Sequence, residues 1–178
     1  YNAGNFSYMY DGDMNQDGIN NDLIYIPKSK DELTFIDKNG FTVEQQAEAF
    51  WNYVNQDSYL KNHKGEYAKA YSARYPWVNQ IDLKVVQDFI VKAGKTTNTL
   101  QVSLDIFNLR NLLKDTWGVT KVPVNSGRIL KYEGVTADNV PTFSMYQSEN
   151  KLPSETFSYL KNSSNCWQIQ VGIRYIFN

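Results

Sequence analysis

Residues 11–22, DGDMNQDGINND, gather hard oxygen donors around a glycine. With Gly18 taken as the sixth residue of a calcium loop, Asp13, Asn15 and Asp17 fall at positions one, three and five, which supply side-chain oxygens around a sharp turn. Ile19 then offers its backbone carbonyl at position seven, and Asp22 closes the shell from position ten. Position twelve, where a bidentate glutamate is expected, is Ile24. Calcium suits these flexible donors better than magnesium, which demands a tight octahedron. The plain alternative is an acidic turn without metal, because Asp, Asn and Gly are also what tight turns favour. In either case the expected role is to stiffen a loop, since no acid–base pair stands nearby to suggest hydrolysis.

Other reactive groupings do not assemble along the chain. His63, the single histidine, lies among charges in KNHKGEY without a cysteine or histidine partner and reads as a solvated loop residue. Cys166 is the single cysteine, so no disulfide closes within the chain, and a buried structural thiol is expected. No Gly-rich phosphate loop or nucleophile elbow is present, no catalytic residue is assigned, and the chain is not expected to be an enzyme.

The 178 residues carry 18 Lys and Arg against 19 Asp and Glu, a net charge of −1. That balance provides no field to steer a polyanion, so nucleic acid is not an expected partner. Aromatics reach 15%, with 13 Tyr, 9 Phe and 4 Trp, residues that favour strands and the water–lipid boundary. No apolar run approaches the roughly 20 residues of a membrane-spanning helix. A mean hydropathy of −0.54 does not speak against a barrel, whose strands hide their lipid face in alternate positions.

The elements that must position these residues are strands of period two. In WQIQVGIRYIFN, Trp167, Ile169, Val171, Ile173, Tyr175 and Phe177 point one way, while Gln168, Gln170 and Arg174 point the other. The pattern recurs with Ile81, Leu83, Val85, Phe89 and Val91, interrupted by Gln87, and with Leu100, Val102, Leu104 and Ile106. Gly94, Lys95 and Thr96 join the last two as a hairpin turn. Strands are therefore expected at about 3–10, 77–92, 98–109 and 165–178, separated by a long, a short and a long connection. Short turns on one side and long loops on the other characterise outer-membrane barrels. The fold class expected is all-β: an antiparallel transmembrane β-barrel segment whose extracellular loops span 11–76 and 111–164.

Aromatic placement agrees with this arrangement. Trp77 and Trp167 open two descending strands, and Phe89, Tyr175 and Phe177 lie near their lower ends, as paired interfacial girdles would. A tilted strand from Trp167 to Phe177 rises about 25 Å, the height of an outer-membrane apolar band. On the inward face, Lys84 is expected diagonal to Asp105 if residue 92 pairs near 99, close enough for an ion pair, with Arg174 as a further lumen-facing charge. Within the first long connection, Thr42 and Gln45 form a capping-box pattern ahead of a helix of about 12 residues with Val43, Ala47, Phe50 and Val54 on one stripe. A weaker helical stretch covers Tyr59 to Tyr71, and GRILKYEG with PTFSMYQ reads as a hairpin in the second connection.

The blocks GDMNQDGINNDLIYIPK, YLKNHKGEYAKAYSARYPWVNQIDLKVVQDF, NTLQVSLDIFNLRNLL, WGVTKV, ILKYEGV and WQIQVGIRYIF together resemble the C-terminal end of TonB-dependent outer-membrane receptors, above all the branch with an N-terminal carboxypeptidase-regulatory-like domain. The resemblance covers nearly the whole chain, with the blocks in the family's order. It implies the last four strands of a barrel of about 22 strands, plugged by an N-terminal domain, in the outer membrane of a Gram-negative bacterium. It also implies active import of a bulky substrate, energised through TonB. The implied partners are the rest of the receptor, TonB through the upstream region, outer-membrane lipid, the barrel-assembly machinery that reads the terminal strand, and a surface lipoprotein or other outer-membrane protein. The opening YNAGNFSYMY reads as mid-element, so the plug is expected upstream of Tyr1. The competing expectation is a soluble secreted all-β module that uses the calcium-like loop for adhesion or glycan capture.

Overall fold

The computed structural model describes residues 1, 4–160 and 162–177. In chain order the elements are β1 (Asn5–Phe6), β2 (Thr34–Phe35), α1 (Val43–Gln56), β3 (Ala73–Arg74), β4 (Leu83–Ala93), β5 (Thr96–Phe107), α2 (Leu109–Leu113), β6 (Lys121–Pro123), β7 (Leu130–Val135), β8 (Pro141–Met145), β9 (Phe157–Tyr159) and β10 (Gln168–Phe177). Strand dominates and helix is sparse, so the chain is of the all-β type. Two compact units form: a sheet unit of Tyr1, Trp77–Thr120 and Tyr159–Asn178, and a core unit of Asn2–Pro76 and Lys121–Ser158.

The sheet unit is built on β5, which is flanked by β4 and β10, both antiparallel to it. Gly94 and Lys95 form a two-residue hairpin loop, with Ala93 opposite Thr96 and Gly94 at a φ of 64°. Positive φ at the first loop position is what a tight hairpin asks of the chain, and glycine meets it without a Cβ penalty. The register falls two residues from the expected one, with Lys92 opposite Thr97. β4 starts at Leu83 rather than 77, because the Ile81 carbonyl and the Asp82 carboxylate accept the N–H groups of Leu109 and Asn108 instead of joining the ladder. β10 starts at Gln168 rather than 165, after a 3-10 turn at Ser163–Asn165, and Asn178 lies outside the described residues. The N–H of Leu160 donates to the Thr120 carbonyl at 2.9 Å, so the chain leaves this unit and returns to it at neighbouring points.

The expected strand at 3–10 does not join this sheet. Residue 3 lies outside the described residues, Asn5–Phe6 forms a short strand paired with Arg74 and Ala73, and Met9 bridges Leu23. The reason is the Phe6, Tyr8, Tyr10 alternation, whose rings are buried in a different core. The sheet therefore holds three of the four expected strands. The stretches expected as open loops supply that core: Ile24, Ile26, Phe35, Phe50, Val54, Leu60, Ile129, Leu130, Phe143 and Met145 pack with those three rings. Parallel pairing of β2 with β8, and antiparallel pairing of β8 with β7, give it a small sheet. The last two strands are the hairpin expected from the sequence, with a register shift between Tyr132 and Gly134.

Thr42 caps α1 as expected: its hydroxyl accepts the Gln45 N–H at 3.3 Å, and the Gln45 side chain accepts the Thr42 N–H at 2.9 Å. Of the expected stripe, Phe50 and Val54 are buried, Ala47 is partly buried and Val43 is exposed, and Gln46 and Tyr53 turn inward beside them. Gln46 is buried because its amide is fully used, donating to the Ile36 and Phe41 carbonyls and accepting the Met145 N–H at 2.8 Å. Helix over 59–71 is reduced to a 3-10 turn at Leu60–Asn62, set by Asp57, whose Oδ1 accepts the N–H groups of Tyr59 and Leu60.

The other oxygen of buried Asp57 accepts the hydroxyls of Tyr8 at 2.7 Å and Thr156 at 2.6 Å. One carboxylate thus joins three distant segments, and removing it strands several buried donors at once. Asp57→Ala should lower the stability of the core unit by about 3 kcal/mol. The measurement is the urea midpoint followed by tyrosine fluorescence; a midpoint unchanged from wild type would contradict this role for Asp57.

Candidate functional site

Two features of the structure carry functional potential: the faces of the sheet unit, and a cleft beside the acidic loop of the core unit. In the sheet, alternation and register combine so that residues of like character meet across strands. Leu83, Ile106 and Ile169 form one row; Val85, Leu104 and Val171 form the next; Phe89, Leu100 and Tyr175 form a third. Gln87, Asn98 and, beside the hairpin loop, Thr96 are the polar members of this otherwise apolar face. The face is not packed against a second layer: Leu83 is 42% and Ile173 75% exposed, and Val102 on the central strand is half-buried. Among the described residues, the outer edges of β4 and β10 have no strand partner.

The five aromatics singled out from the sequence are all exposed. Tyr175 and Phe177 lie with ring centroids 6.1 Å apart, and the Tyr175 hydroxyl donates to Asn98. Phe89 shares the row of Tyr175 and so belongs to the same end of the sheet. Trp167 directly precedes β10, whereas Trp77 lies six residues before β4. On the opposite face Lys84 and Asp105 are cross-strand partners rather than diagonal neighbours, with an ion pair of 2.9 Å. Arg174 stands opposite Gln101, whose side-chain amide donates to Asp88.

The end of the sheet at which β5 exits is locked by three asparagines that the sequence reading did not single out. Asn108 takes left-handed φ of 51°, which asparagine tolerates better than most residues, and its amide donates to the Gly118 and Asn165 carbonyls. Asn111 donates to the Asp115 and Trp117 carbonyls and accepts the Trp167 N–H. Asn165 accepts the Thr120 N–H and donates to the Leu160 carbonyl. The signal available in the sequence is the i, i+3 pair Asn108 and Asn111 directly after a strand. Cys166, beside this lock, is exposed rather than buried.

In the core unit, the acidic loop brings part of the expected donor set together. Asp13 accepts the N–H groups of Asp17 and Gly18, Asn15 accepts that of Asp17, and the Asn15 amide donates to Asp17 Oδ2 at 3.1 Å. Asp22 attaches elsewhere: its Oδ2 accepts the N–H groups of Met14 and Asn15, so it supports the loop without meeting the other two carboxylates. The Ile19 carbonyl is engaged by the Asn21 N–H at 3.1 Å. Among the described residues, no group of three His, Cys, Asp or Glu is arranged to hold a metal ion. The set that converges is Asp13, Asn15 and Asp17, whose oxygens keep unused lone pairs after the backbone bonds.

Beside this loop lies a cleft of about 560 Å³ lined by Tyr10, Met14, Asn15, Asn21, Asp22, Leu23 and Tyr67. Tyr10 is 1% exposed, and its oxygen accepts the Tyr25 N–H at 3.1 Å. Burial pushes its phenol up to about 12, so the hydroxyl keeps its proton at neutral pH. Tyr67 is exposed and packs edge-to-face on Tyr25, whose hydroxyl donates to Glu32 at 2.7 Å. His63 is not the freely solvated residue expected; it is half-buried, stacked on Tyr59 at 4.2 Å, and its Nδ1 lies 2.8 Å from the Tyr59 carbonyl.

Comparison of the chain with protein-family models, with curated proteins and with solved structures finds no match.

The asparagine lock generates a prediction at Gly118, whose φ is +65° and where an added Cβ would collide with the Asn108 side-chain oxygen. Gly118→Ala should destabilise the sheet unit by about 1–3 kcal/mol. Chemical denaturation of wild type and variant checks it, and an unchanged midpoint would show that the lock yields freely.

Proposed function

We propose that this chain is the C-terminal wall segment of a TonB-dependent outer-membrane receptor that imports a bulky substrate. The observation that carries the reading is the apolar face of β4, β5 and β10, aligned row by row across a single-layer sheet and left exposed. In a barrel such a face meets hydrocarbon, and the opposite face, with Lys84, Asp105 and Arg174, borders an aqueous interior. The open edges of β4 and β10 then pair with the remaining strands of the receptor, since a barrel leaves no edge unpaired. β10 has ten residues and, tilted, rises about 25 Å, the height of the apolar band. Substrate capture falls to the core unit, and transport force reaches the barrel through TonB and the upstream plug.

The soluble alternative, a secreted calcium-dependent adhesion or glycan-binding module, is favoured by one observation: residues read as loops possess a hydrophobic core of their own. Fractionation separates the two readings. The full-length product should sediment with outer membranes and resist carbonate washing; recovery in the soluble fraction would sink the transport reading. Within the membrane reading, Ile173→Arg introduces a charge in mid-strand on the apolar face and should cost about 2–4 kcal/mol. Arg174→Gln, one residue on and facing the other side, should leave assembly close to wild type. Outer-membrane yield and heat-modifiable gel mobility report both, and equal tolerance of the two substitutions would contradict the assignment of faces.

We further propose that Asp13, Asn15 and Asp17 hold calcium, with water completing the six to eight oxygens that the ion takes. On this reading calcium raises the melting temperature of wild type but not of Asp17→Ala. Superimposable titration curves would remove the ligand assignment.

A further inference from the structure

We propose that a second cleft, beside the asparagine lock, is a binding site for an organic ammonium ion with an apolar body, recognised by the Asp115 carboxylate and the aromatic residues Tyr159 and Trp167. The inference goes beyond the transport reading and does not rest on it, because the lining residues all belong to the sheet unit and keep their chemistry whatever surrounds the sheet.

The cleft encloses about 570 Å³, within the usual range of small-ligand pockets. Val119, Leu160, Tyr159 and Trp167 give it apolar and aromatic walls, and Asp115 is the one charged residue among the described residues that line it. Two cations stand close in sequence, but they turn elsewhere: Arg110 and Lys114 lie over the Trp117 ring, 5.3 Å and 5.6 Å from its centroid, and neither lines the cleft. Ion pairs among the described residues form at Glu133 and Asp105, so the exposed Asp115 carboxylate has no cation of its own there.

One side chain sets the acid and the aromatic wall together. The Asn111 amide donates to the Asp115 carbonyl at 2.7 Å and to the Trp117 carbonyl at 3.2 Å, and its oxygen accepts the Trp167 N–H at 3.1 Å. Both N–H bonds of that amide are thereby used. Asn165 spends its own on the Leu160 carbonyl and the Asn162 side-chain oxygen, at 3.0 Å and 2.7 Å. The walls are therefore fixed before a ligand arrives, which lowers the entropic cost of binding.

This arrangement selects the chemistry. An anion meets Asp115 and finds the amide donors of Asn111 and Asn165 already committed. A neutral apolar molecule takes water from the carboxylate and returns nothing to it. A bare metal ion leaves the apolar walls unanswered, and among the described residues no group of three His, Cys, Asp or Glu is placed to hold one. An ammonium carrying an apolar group meets both demands, its charge answering Asp115 and its body the rings, which themselves attract cations over their faces.

Cys166 is exposed and lines the same cleft, so its thiol reports occupancy. The test is alkylation of Cys166 by iodoacetamide in the full-length product, held in an uncharged polyoxyethylene detergent, with the rate read by peptide mass spectrometry. At millimolar concentration benzyltrimethylammonium should slow the reaction about threefold or more, while benzenesulfonate and benzyl alcohol leave it unchanged. Asp115→Asn keeps the backbone carbonyl that Asn111 holds, and it should raise the concentration needed for protection by about tenfold. Trp167→Leu should weaken protection as well, whereas Trp167→Phe, which keeps an aromatic ring, retains it. Each variant is scored against its own rate without ligand, and circular dichroism verifies that it is folded. No protection by benzyltrimethylammonium, equal protection by benzenesulfonate or benzyl alcohol, or full protection in Asp115→Asn would each overturn the proposal. None of these outcomes alters where the full-length product fractionates, so the two readings fail separately.

Discussion

A β-sheet one layer thick cannot bury its own side chains, and this constraint governs the sheet unit. Backbone hydrogen bonds satisfy the strands of β4, β5 and β10 internally, but the apolar rows they create face outward. Burying a side chain of the Val, Leu, Ile or Phe type is worth about 1.5–3 kcal/mol, so a face of this size in water forgoes on the order of 20 kcal/mol. That exceeds the net stability of a typical domain, roughly 5–15 kcal/mol. An external apolar phase or protein layer would recover that free energy, and in the proposed function lipid is that layer.

The core unit meets the same requirement from within, and by other means. Its centre is aromatic, with Tyr8, Tyr10 and Tyr53 almost wholly buried beside Phe35, Phe50 and Phe143. Burying phenols brings polar atoms inside; the Tyr8 hydroxyl joins a hub at Asp57, Tyr10 makes a single bond to backbone, and the Tyr53 hydroxyl meets no hydrogen-bond partner among the described residues. Asp57 gathers two hydroxyls and two N–H groups, and Gln46 spends both ends of its amide on backbone from three other segments. Glu133 behaves similarly near the surface. Burial pushes its carboxyl up, but the Ser144 hydroxyl and the Lys38 and Lys131 ammonium groups outweigh that and hold it below the usual range. Hubs of this kind make a unique arrangement out of residues that could pack in several ways.

What the sequence disclosed follows from the range of the interactions involved. Period-two alternation over 83–91, 100–106 and 169–177, a glycine-bearing turn and the Thr42–Gln45 cap are local, and each is found where it was expected. The strand faces follow from alternation alone, so Lys84 and Asp105 share a face even though the register moved by two residues. The Phe6, Tyr8, Tyr10 stretch shows the limit: its alternation is that of a strand, but which core receives the rings depends on chain distant in sequence. The α1 stripe held at Phe50 and Val54 and, in part, at Ala47, but not at Val43. Choosing by hydrophobicity alone overlooked Gln46, where a fully bonded amide behaves as a core residue, and Tyr53. In the acidic loop the donor types were legible, but their division between Asp13, Asn15 and Asp17 on one side and Asp22 on the other was not.

The hydrogen bond between Thr120 and Leu160 has an evolutionary corollary. Because the intervening chain departs and rejoins at adjacent points, its length and composition are decoupled from the geometry of β5 and β10. Closing a longer excursion between fixed ends costs only about 0.6 kcal/mol for each doubling of its length. Such an excursion can lengthen at its exposed turns while the ladder keeps its pairing, but Ile129, Leu130, Phe143 and Met145 stay bound to the core they complete.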